Sequence, residues 1–286
     1  MKKILFCSAI AFISFGFAGE KKAYEIFTGE GNTSSYAEML NAVKDADIVL
    51  FGELHDNPIV HWLELELTKD LYTTKNNKLV LGAEMFEADD QVTLNEYLAG
   101  KLSEGTFKAE AKLWGNYETD YKPLVDFAKT NHLAFIAANI PRRYANLVYK
   151  RGLRSLDSLS PEAKKFIAPL PITYDSTVQA YKEIFENGGG HGGQNLPMSQ
   201  ASKDATMAYF ILQNWKPGQL FLHYNGAYHS NNHSGIAWYL LKSNPKLKIV
   251  VISAATQENI EKLDDENKKL GEFIITVPES MTRTKQ

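Results

Sequence analysis

A group of acidic, imidazole and amide side chains near the start of the chain could do acid–base chemistry. Within five residues the chain carries Glu53, His55, Asp56 and Asn57. They follow the apolar run Ile48–Phe51 and Gly52, and this pattern predicts a short strand buried on both faces, as in parallel sheets. Asn57 before Pro58 has the form of a helix N-cap and a first-turn proline. The sequence therefore predicts a buried strand that delivers polar groups to the start of a helix, where open α/β sheets bind ligands.

Other predicted strands end in the same kinds of side chain. The polar residues at the strand ends are Glu53, His55, Glu84, Asn139, Arg142, Asn225, Tyr228 and His229. Because the carboxyl ends of parallel strands lie along one edge, we expect these side chains to converge on one pocket. Carboxylates, imidazoles and a guanidinium suit either a metal site or acid–base hydrolysis. The alternative is that they only cap helix N-termini, and His233 has the spacing of an exposed loop histidine.

The elements that must position these residues alternate between strand and helix. Apolar runs predict strands at 24–27, 48–51, 78–84, 132–139, 219–223, 248–253 and 273–277. Helical patterns fall between them, at 36–43 after a Ser35–Glu38 capping box, at 58–73 and within 88–130. This alternation predicts right-handed βαβ crossovers and an α/β fold with a mostly parallel sheet flanked by helices.

Residues 144–214 interrupt the alternation with about seventy residues of helical signals and no strand pattern. We predict helices at 175–186 and 197–214, separated by a glycine-rich turn at 188–193. This segment is a predicted helical insertion between the third and fourth main strands. Residues 19–286 are accordingly predicted to form a single α/β domain that includes it.

One helix of the insertion has an aromatic and apolar face. Tyr174, Val178, Tyr181 and Phe185 recur at i, i+4, i+7 and i+11, with Lys182 beside them and His191 in the glycine-rich turn. A flat apolar cofactor could lie on such a face. The alternative is a helix that packs on the sheet with half-buried tyrosines.

The first eighteen residues have the pattern of a secretory signal peptide. Two lysines precede an apolar run at 4–17, and Gly16 and Ala18 supply the small residues of a cleavage site. We therefore expect an exported protein, located in the periplasm of a bacterium. The single cysteine, Cys7, lies too early in the apolar run for a good lipobox, although lipidation there would place the protein at the outer membrane. A formal net charge of −3 without a basic run argues against nucleic-acid binding.

Five stretches together resemble the ChaN-like haem-binding family of bacterial iron-uptake proteins. They are Gly-Glu-Leu-His-Asp at 52–56, Gly-Ala-Glu-Met-Phe at 82–86, Ala-Asn-Ile-Pro-Arg at 138–142, the tract 171–208, and Gly-Ala-Tyr-His at 226–229. The resemblance implies an α/β protein that binds ferric haem through a tyrosine. It also implies a homodimer that encloses two stacked haems, with a histidine and a lysine of one subunit on the propionates of the other.

By position, the resemblance implies that the iron ligand is Tyr181 or Tyr174, with Tyr149 as a further candidate. Lys182 and His191 are the candidates for the propionates. Phenolate is a hard anionic ligand that favours ferric iron, which agrees with haem carriage. An outer-membrane haem receptor is the implied partner.

The two Gly-x-x-His motifs, Gly52–His55 and Gly226–His229, also resemble a wider superfamily that includes erythromycin esterases and Tiki-type metalloproteases. This resemblance implies an alternative function. The protein would be a hydrolase whose catalytic residues are Glu53, His55, Glu84 and His229, with or without a divalent metal.

Overall fold

A computed structural model describes residues 21–75, 78–187, 193 and 195–285, and its centre is one eight-stranded sheet. The strands are β1 (Glu25–Thr28), β2 (Thr33–Ser34), β3 (Ile48–Glu53), β4 (Leu79–Glu87), β5 (Phe135–Asn139), β6 (Leu220–Gly226), β7 (Ile249–Gln257) and β8 (Phe273–Pro278). Their order across the sheet is β2-β1-β8-β7-β3-β6-β4-β5. All pairings from β8 to β5 are parallel, whereas β1 pairs antiparallel with β8 and β2.

The α-helices connect these strands and cover both faces of the sheet. They are α1 (Tyr36–Val43), α2 (Pro58–Lys75), α3 (Gln91–Leu98), α4 (Glu104–Glu110), α5 (Lys122–Thr130), α6 (Arg142–Arg151), α7 (Gln179–Asn187), α8 (Asn195–Asn214) and α9 (Ile236–Ser243). The predicted fold class is confirmed: the sheet is mostly parallel and helices flank it. Between β5 and β6 the described residues form helices and no strand, as the predicted insertion requires.

Several predicted boundaries differ from those in the structure. β4 continues past Glu84 to Glu87, because its pairing with β5 resumes at Glu87 after a shift in register. β6 continues to Gly226, because Tyr224 and Asn225 still pair with β3. These extensions move the ends of both strands further into the polar segments at the carboxyl edge.

Alternation along β3 explains why its whole length is buried. Val49 and Phe51 belong to the core on the side of α2 and α5, whereas Ile48 and Leu50 belong to the core on the side of α8 and α9. Successive side chains of a strand point to opposite faces, so a central strand covered on both faces must be apolar at every position. β3 lies between β6 and β7 and so carries its polar end into the middle of the carboxyl edge.

The start of α2 is held by a buried N-cap. The side-chain oxygen of Asn57 accepts hydrogen bonds from the amides of Ile59 and Val60, at 3.1 and 3.2 Å. These bonds satisfy two of the amide groups that a helix leaves free at its N-terminus. The predicted cap and first-turn proline therefore fix the turn that follows Glu53 and His55.

We expect Asn57→Ala to lower the free energy of unfolding by about 0.5–2 kcal/mol, the usual cost of losing a helix N-cap. Asn41→Ala on the exposed face of α1 is the control and should change stability by less than about 0.5 kcal/mol. Urea unfolding followed by tryptophan fluorescence measures both values. Equal effects of the two substitutions would show that the cap contributes nothing specific.

Within the described ranges, no helix is both long and apolar enough to span a bilayer. The predicted signal peptide, Cys7 and His191 lie outside the described residues.

Candidate functional site

A pocket of about 780 Å³ opens at the carboxyl edge of the sheet. The strand-end residues that line it are His55, Glu84, Asn139, Arg142, Tyr228 and His229. The structure therefore brings six of the eight predicted residues to one cavity, as the parallel sheet requires. Glu53 and Asn225 do not line the pocket and are buried, at 2% and 0% exposure.

Glu53 holds His55 at the pocket wall. Glu53 Oε1 lies 2.5 Å from His55 Nδ1 and accepts a 2.9 Å hydrogen bond from the hydroxyl of Tyr121. The rings of Trp114 and His55 pack in an edge-type arrangement with a centroid separation of 4.9 Å. Burial alone would raise the pKa of Glu53, but the neighbouring imidazoles of His55 and His61 outweigh it and lower the pKa to about 2. Glu53 is therefore a carboxylate that orients an imidazole, as in acid–base catalytic sites.

Gly226 allows His55 and Glu84 to approach each other. The amide of Gly226 donates a 2.8 Å hydrogen bond to Glu84 Oε2. A Cβ atom at this position would lie 2.6 Å from His55 Nε2 and 3.5 Å from Glu84 Oε2. Any larger residue would therefore displace His55 from the wall of the pocket.

A second carboxylate–histidine arrangement runs from the pocket into the insertion. His229 Nε2 lies 3.0 Å from Glu84 Oε1, and His229 Nδ1 is hydrogen-bonded to Asp204 Oδ1. The hydroxyl of Tyr181 donates a 2.8 Å hydrogen bond to the other oxygen of Asp204. The chain Glu84–His229–Asp204–Tyr181 thus links β4, the turn after β6, α8 and α7 through buried polar groups.

The charges in this chain compensate each other. Burial opposes protonation of His229, but the charges of Glu84 and Asp204 outweigh it and raise its pKa to about 9. Burial alone would raise the pKa of Glu84, but His229 holds it well below its usual range. Burial raises the pKa of Asp204 despite the opposing effects of His229 and Tyr181. Near neutral pH, a protonated imidazole therefore lies between two buried acids.

Sequence reasoning missed the helical residues of this site. Asp204 of α8 is fully buried, and Tyr121 lies in a short π-helical turn at Tyr117–Tyr121. The sequence signal for Asp204 is the series of polar residues on α8, and the structure shows that Ser199, Ser202 and Thr206 of this series are buried with it. A helix with polar groups on its buried face must direct some of them at a partner.

The candidate haem residues of the insertion lie in different surroundings. Tyr181 is fully buried, Tyr174 is half-buried with its ring 5.7 Å from that of Tyr181, and Tyr149 on α6 is 39% exposed. Lys182 is exposed on α7 with its Nζ atom 3.9 Å from Glu186 Oε1. The structure therefore brings Tyr174 and Tyr181 together but places Tyr149 on another helix.

A second pocket, of about 370 Å³, lies between α7, α8 and the turn after β6. The residues that line it are Ala180, Glu183, Ile184, Leu196, Gln200, Tyr228, Asn231 and Asn232. Tyr228 lines both pockets and is 75% exposed, and Phe185, next to Ile184, is 57% exposed. Exposed large apolar side chains around a pocket are typical of a binding surface.

The fold and the pocket place the chain among α/β proteins that bind ligands at the carboxyl edge of a parallel sheet. The family model described as "Haem-binding uptake, Tiki superfamily, ChaN" matches residues 39–240, which is more than half of the chain. The protein therefore belongs to this family, as the sequence motifs predicted.

The structure is similar to that reported for cofacial haem binding to ChaN of Campylobacter jejuni. The TM-score is 0.65 at 16% sequence identity, over 90% of this chain and 98% of that chain, so the likeness concerns the fold. The type III effector HopBA1 gives a TM-score of 0.47 at 11% identity, over 85% and 92% of the two chains. The Arabidopsis thaliana chloroplastic protein RETICULATA-RELATED 5 is 26% identical over 147 residues, which are 49% of this chain and 19% of that protein's length.

Proposed function

We propose that this protein binds ferric haem at the aromatic surface of its helical insertion, as part of iron or haem uptake. Family membership supports haem as the ligand. The pocket between α7 and α8, where Tyr228 and the neighbouring Phe185 are exposed, supports this location, and Tyr174 and Tyr181 lie outside its lining. A porphyrin has two apolar faces, so burial of one face against this surface would provide much of the binding free energy.

Tyr174 is the better of the two proposed iron ligands. The Tyr181 hydroxyl is buried on Asp204, and burial raises its pKa far above the usual value, so forming a phenolate there would require this hydrogen bond to break. Tyr174 is half-buried and forms no hydrogen bond through its hydroxyl within the described part of the chain. Lys182 and His191 remain the proposed propionate partners, and Tyr149 the further candidate ligand.

We also propose that haem links two copies of the chain. A haem with one face on this surface leaves its other face exposed, and stacking against a second haem–protein unit would cover it. Binding would then shift monomer to dimer by mass action. We further propose export through the signal peptide at 1–18, with location in the periplasm, or at the outer membrane near a haem receptor if Cys7 is lipidated.

A titration with ferric haem followed by absorption spectroscopy and sedimentation tests this function. We expect a tyrosinate-type high-spin spectrum and a change from monomer to dimer as haem is added. Tyr174→Phe should abolish the tyrosinate bands, whereas Tyr72→Phe, a half-buried tyrosine on the other face of the sheet, should not. Tyr181→Phe and Tyr149→Phe test the other two candidate iron ligands by the same spectrum.

Unchanged free-haem bands in the parent protein would contradict haem binding. If neither Tyr174→Phe, Tyr181→Phe nor the double variant alters the spectrum, the proposed ligand is wrong although haem binding stands. A haem complex that sediments as a monomer would contradict only the haem-linked dimer.

The pocket at the carboxyl edge favours a second candidate function, that of a hydrolase. Glu53 orients His55, Glu84 and His229 lie opposite, and Arg142 and Lys203 add positive charge to the lining. This arrangement offers an acid–base pair and a place for an anionic group, with or without a divalent metal. His55→Ala should abolish ester or peptide hydrolysis and leave haem binding intact. Absence of turnover by the parent protein, even with added Mn²⁺ or Zn²⁺, would contradict this function.

A further inference from the structure

A buried cluster of metal-ligand residues lies beside the pocket, on the side of α2. Glu53 of β3 and His61 and Glu64 of α2 offer one donor atom each within 4.8 Å of one another. His61 Nδ1 lies 3.2 Å from Glu53 Oε2 and 3.0 Å from Glu64 Oε2. Ligand atoms about 2.1 Å from a shared metal are about 3.0–3.4 Å apart, so these separations fit one cation.

Two carboxylate oxygens of this cluster lack hydrogen bonds. Glu53 Oε2 and Glu64 Oε1 are buried, and neither accepts a hydrogen bond from the residues that the structure describes. Glu53 and Glu64 are only 2% and 0% exposed, so water does not replace the missing partners at the surface. Buried acceptors without partners are costly, and a bound cation would remove that cost.

Neighbouring groups orient the donor atoms of the cluster through hydrogen bonds, as they do around bound metals. His61 Nε2 faces only acceptors, with the His55 carbonyl at 3.2 Å and Asp120 Oδ2 at 3.5 Å. Nε2 therefore carries a proton, and Nδ1 faces the two carboxylates, so a cation that binds there would displace the proton from Nδ1. His55 and Tyr121 bind the other oxygen of Glu53, which leaves Oε2 for the cluster. Metal-ligating histidines are commonly fixed in this way through their second nitrogen.

A separate surface pocket reaches His61, one member of the cluster. It has a volume of about 480 Å³, and its lining includes His61, Asp120 and the segment Thr282–Thr284. Arg283 pairs with Asp56 at 2.7 Å, so this segment covers the start of α2 through exposed contacts. A cation could therefore reach His61 without passing through the pocket at the carboxyl edge.

We propose that Glu53, His61 and Glu64 form a binding site for a divalent first-row transition metal, such as Mn²⁺ or Zn²⁺. One imidazole nitrogen and two carboxylate oxygens suit these ions, and water would complete the coordination. The site goes beyond haem binding, because its donors lie on β3 and α2 rather than in the insertion. It would also fix Glu53, the carboxylate that orients His55.

The test is a titration of the chelator-treated full chain with Mn²⁺, in which electron paramagnetic resonance measures the free ion. We expect one equivalent to bind, and Glu64→Gln to weaken binding about 10-fold or more. Glu66→Gln is the matched control, because Glu66 is partly exposed on the same helix and pairs with Lys69. Circular dichroism shows whether each variant is folded.

The proposal would be overturned if Mn²⁺ stays free in the presence of the parent protein. It would also be overturned if Glu64→Gln and Glu66→Gln bind Mn²⁺ with equal affinity, or if His229→Gln loses binding while Glu64→Gln keeps it. A measurement on the parent protein keeps the test decisive if Glu64→Gln does not fold. Electron spin-echo modulation of bound Mn²⁺ should detect one directly bound imidazole. None or two would place the ion elsewhere, since the pocket at the carboxyl edge offers His55 and His229.

Discussion

Replacing His229 by alanine should lower the free energy of unfolding by about 3–5 kcal/mol, the range for breaking a buried ion pair. The substitution removes the imidazole that pairs with both Glu84 and Asp204. Both carboxyls are then left buried without a positive partner, at 4% and 0% exposure. The cost comes mainly from these uncompensated charges, and to a lesser extent from the cavity left by the imidazole.

Urea unfolding of the parent protein and the variant at pH 7 measures this loss. Tyr228→Ala is the control, because it lies next to His229 but is 75% exposed, and it should change stability by less than about 0.5 kcal/mol. The loss should shrink at pH 5, where protonation can neutralise the unpaired acids. A loss below about 1 kcal/mol at pH 7 would mean that His229 does not compensate these charges.

The fold was largely predictable because the central strands carry local signals. β3 is apolar at Ile48–Phe51, and a buried strand between two helix-covered faces allows no other pattern. The capping box at Ser35 and Glu38 forms as its spacing predicts. The ends of β4 and β6 were not predictable, because β4 pairs with β5 again at Glu87 after a shift in register and β6 pairs with β3 beyond Asn225, and pairing is a tertiary property.

The candidate site was predictable only where strands supply it. A parallel sheet brings the ends of β3, β4 and β6 together, so His55, Glu84 and His229 could be placed on one edge from their strand ends alone. Asp204, Tyr121 and His61 come from helices, and their orientation depends on how each helix packs. Periodicity shows which residues share a helix face, but it does not identify the partner of that face.

Tyr181 shows how the structure changes the relation between the two proposed functions. Its spacing predicts that Tyr181 belongs to an aromatic helix face for a cofactor. In the structure its hydroxyl hydrogen-bonds to Asp204, which is in turn hydrogen-bonded to His229 at the wall of the pocket. Haem on Tyr174, whose ring lies 5.7 Å from that of Tyr181, would therefore be bound close to the end of this chain. The insertion and the sheet edge share a polar network, so substitutions at one can alter the other.

Stability should fall as the pH rises from about 7 to 9, and His229 should account for one proton of that dependence. Its pKa is about 9 in the folded protein, compared with an ordinary value of 6.5. Protonated His229 contributes its full stabilisation of the folded protein below pH 6.5. Between pH 6.5 and 9 the folded state keeps a proton that the unfolded state has released, so this stabilisation is lost as the pH rises. Each such proton gives a slope of at most about 1.4 kcal/mol per pH unit.

Comparison with His229→Gln isolates this contribution. His61, whose pKa is raised to about 11, adds a similar slope in both proteins, and the pKa of His55 is raised in the same direction. Glu84 and Asp204 also face His229. Both are ionised in the unfolded state well below pH 7, so they add no slope between pH 7 and 9 once they are ionised in the folded variant as well. We therefore expect the free energy of unfolding, measured in urea at pH 7, 8 and 9, to fall less steeply in the variant, by about 1 kcal/mol per pH unit. Parallel pH profiles would show that His229 is not protonated in the folded protein, and the charge compensation between Glu84 and Asp204 would then need another source.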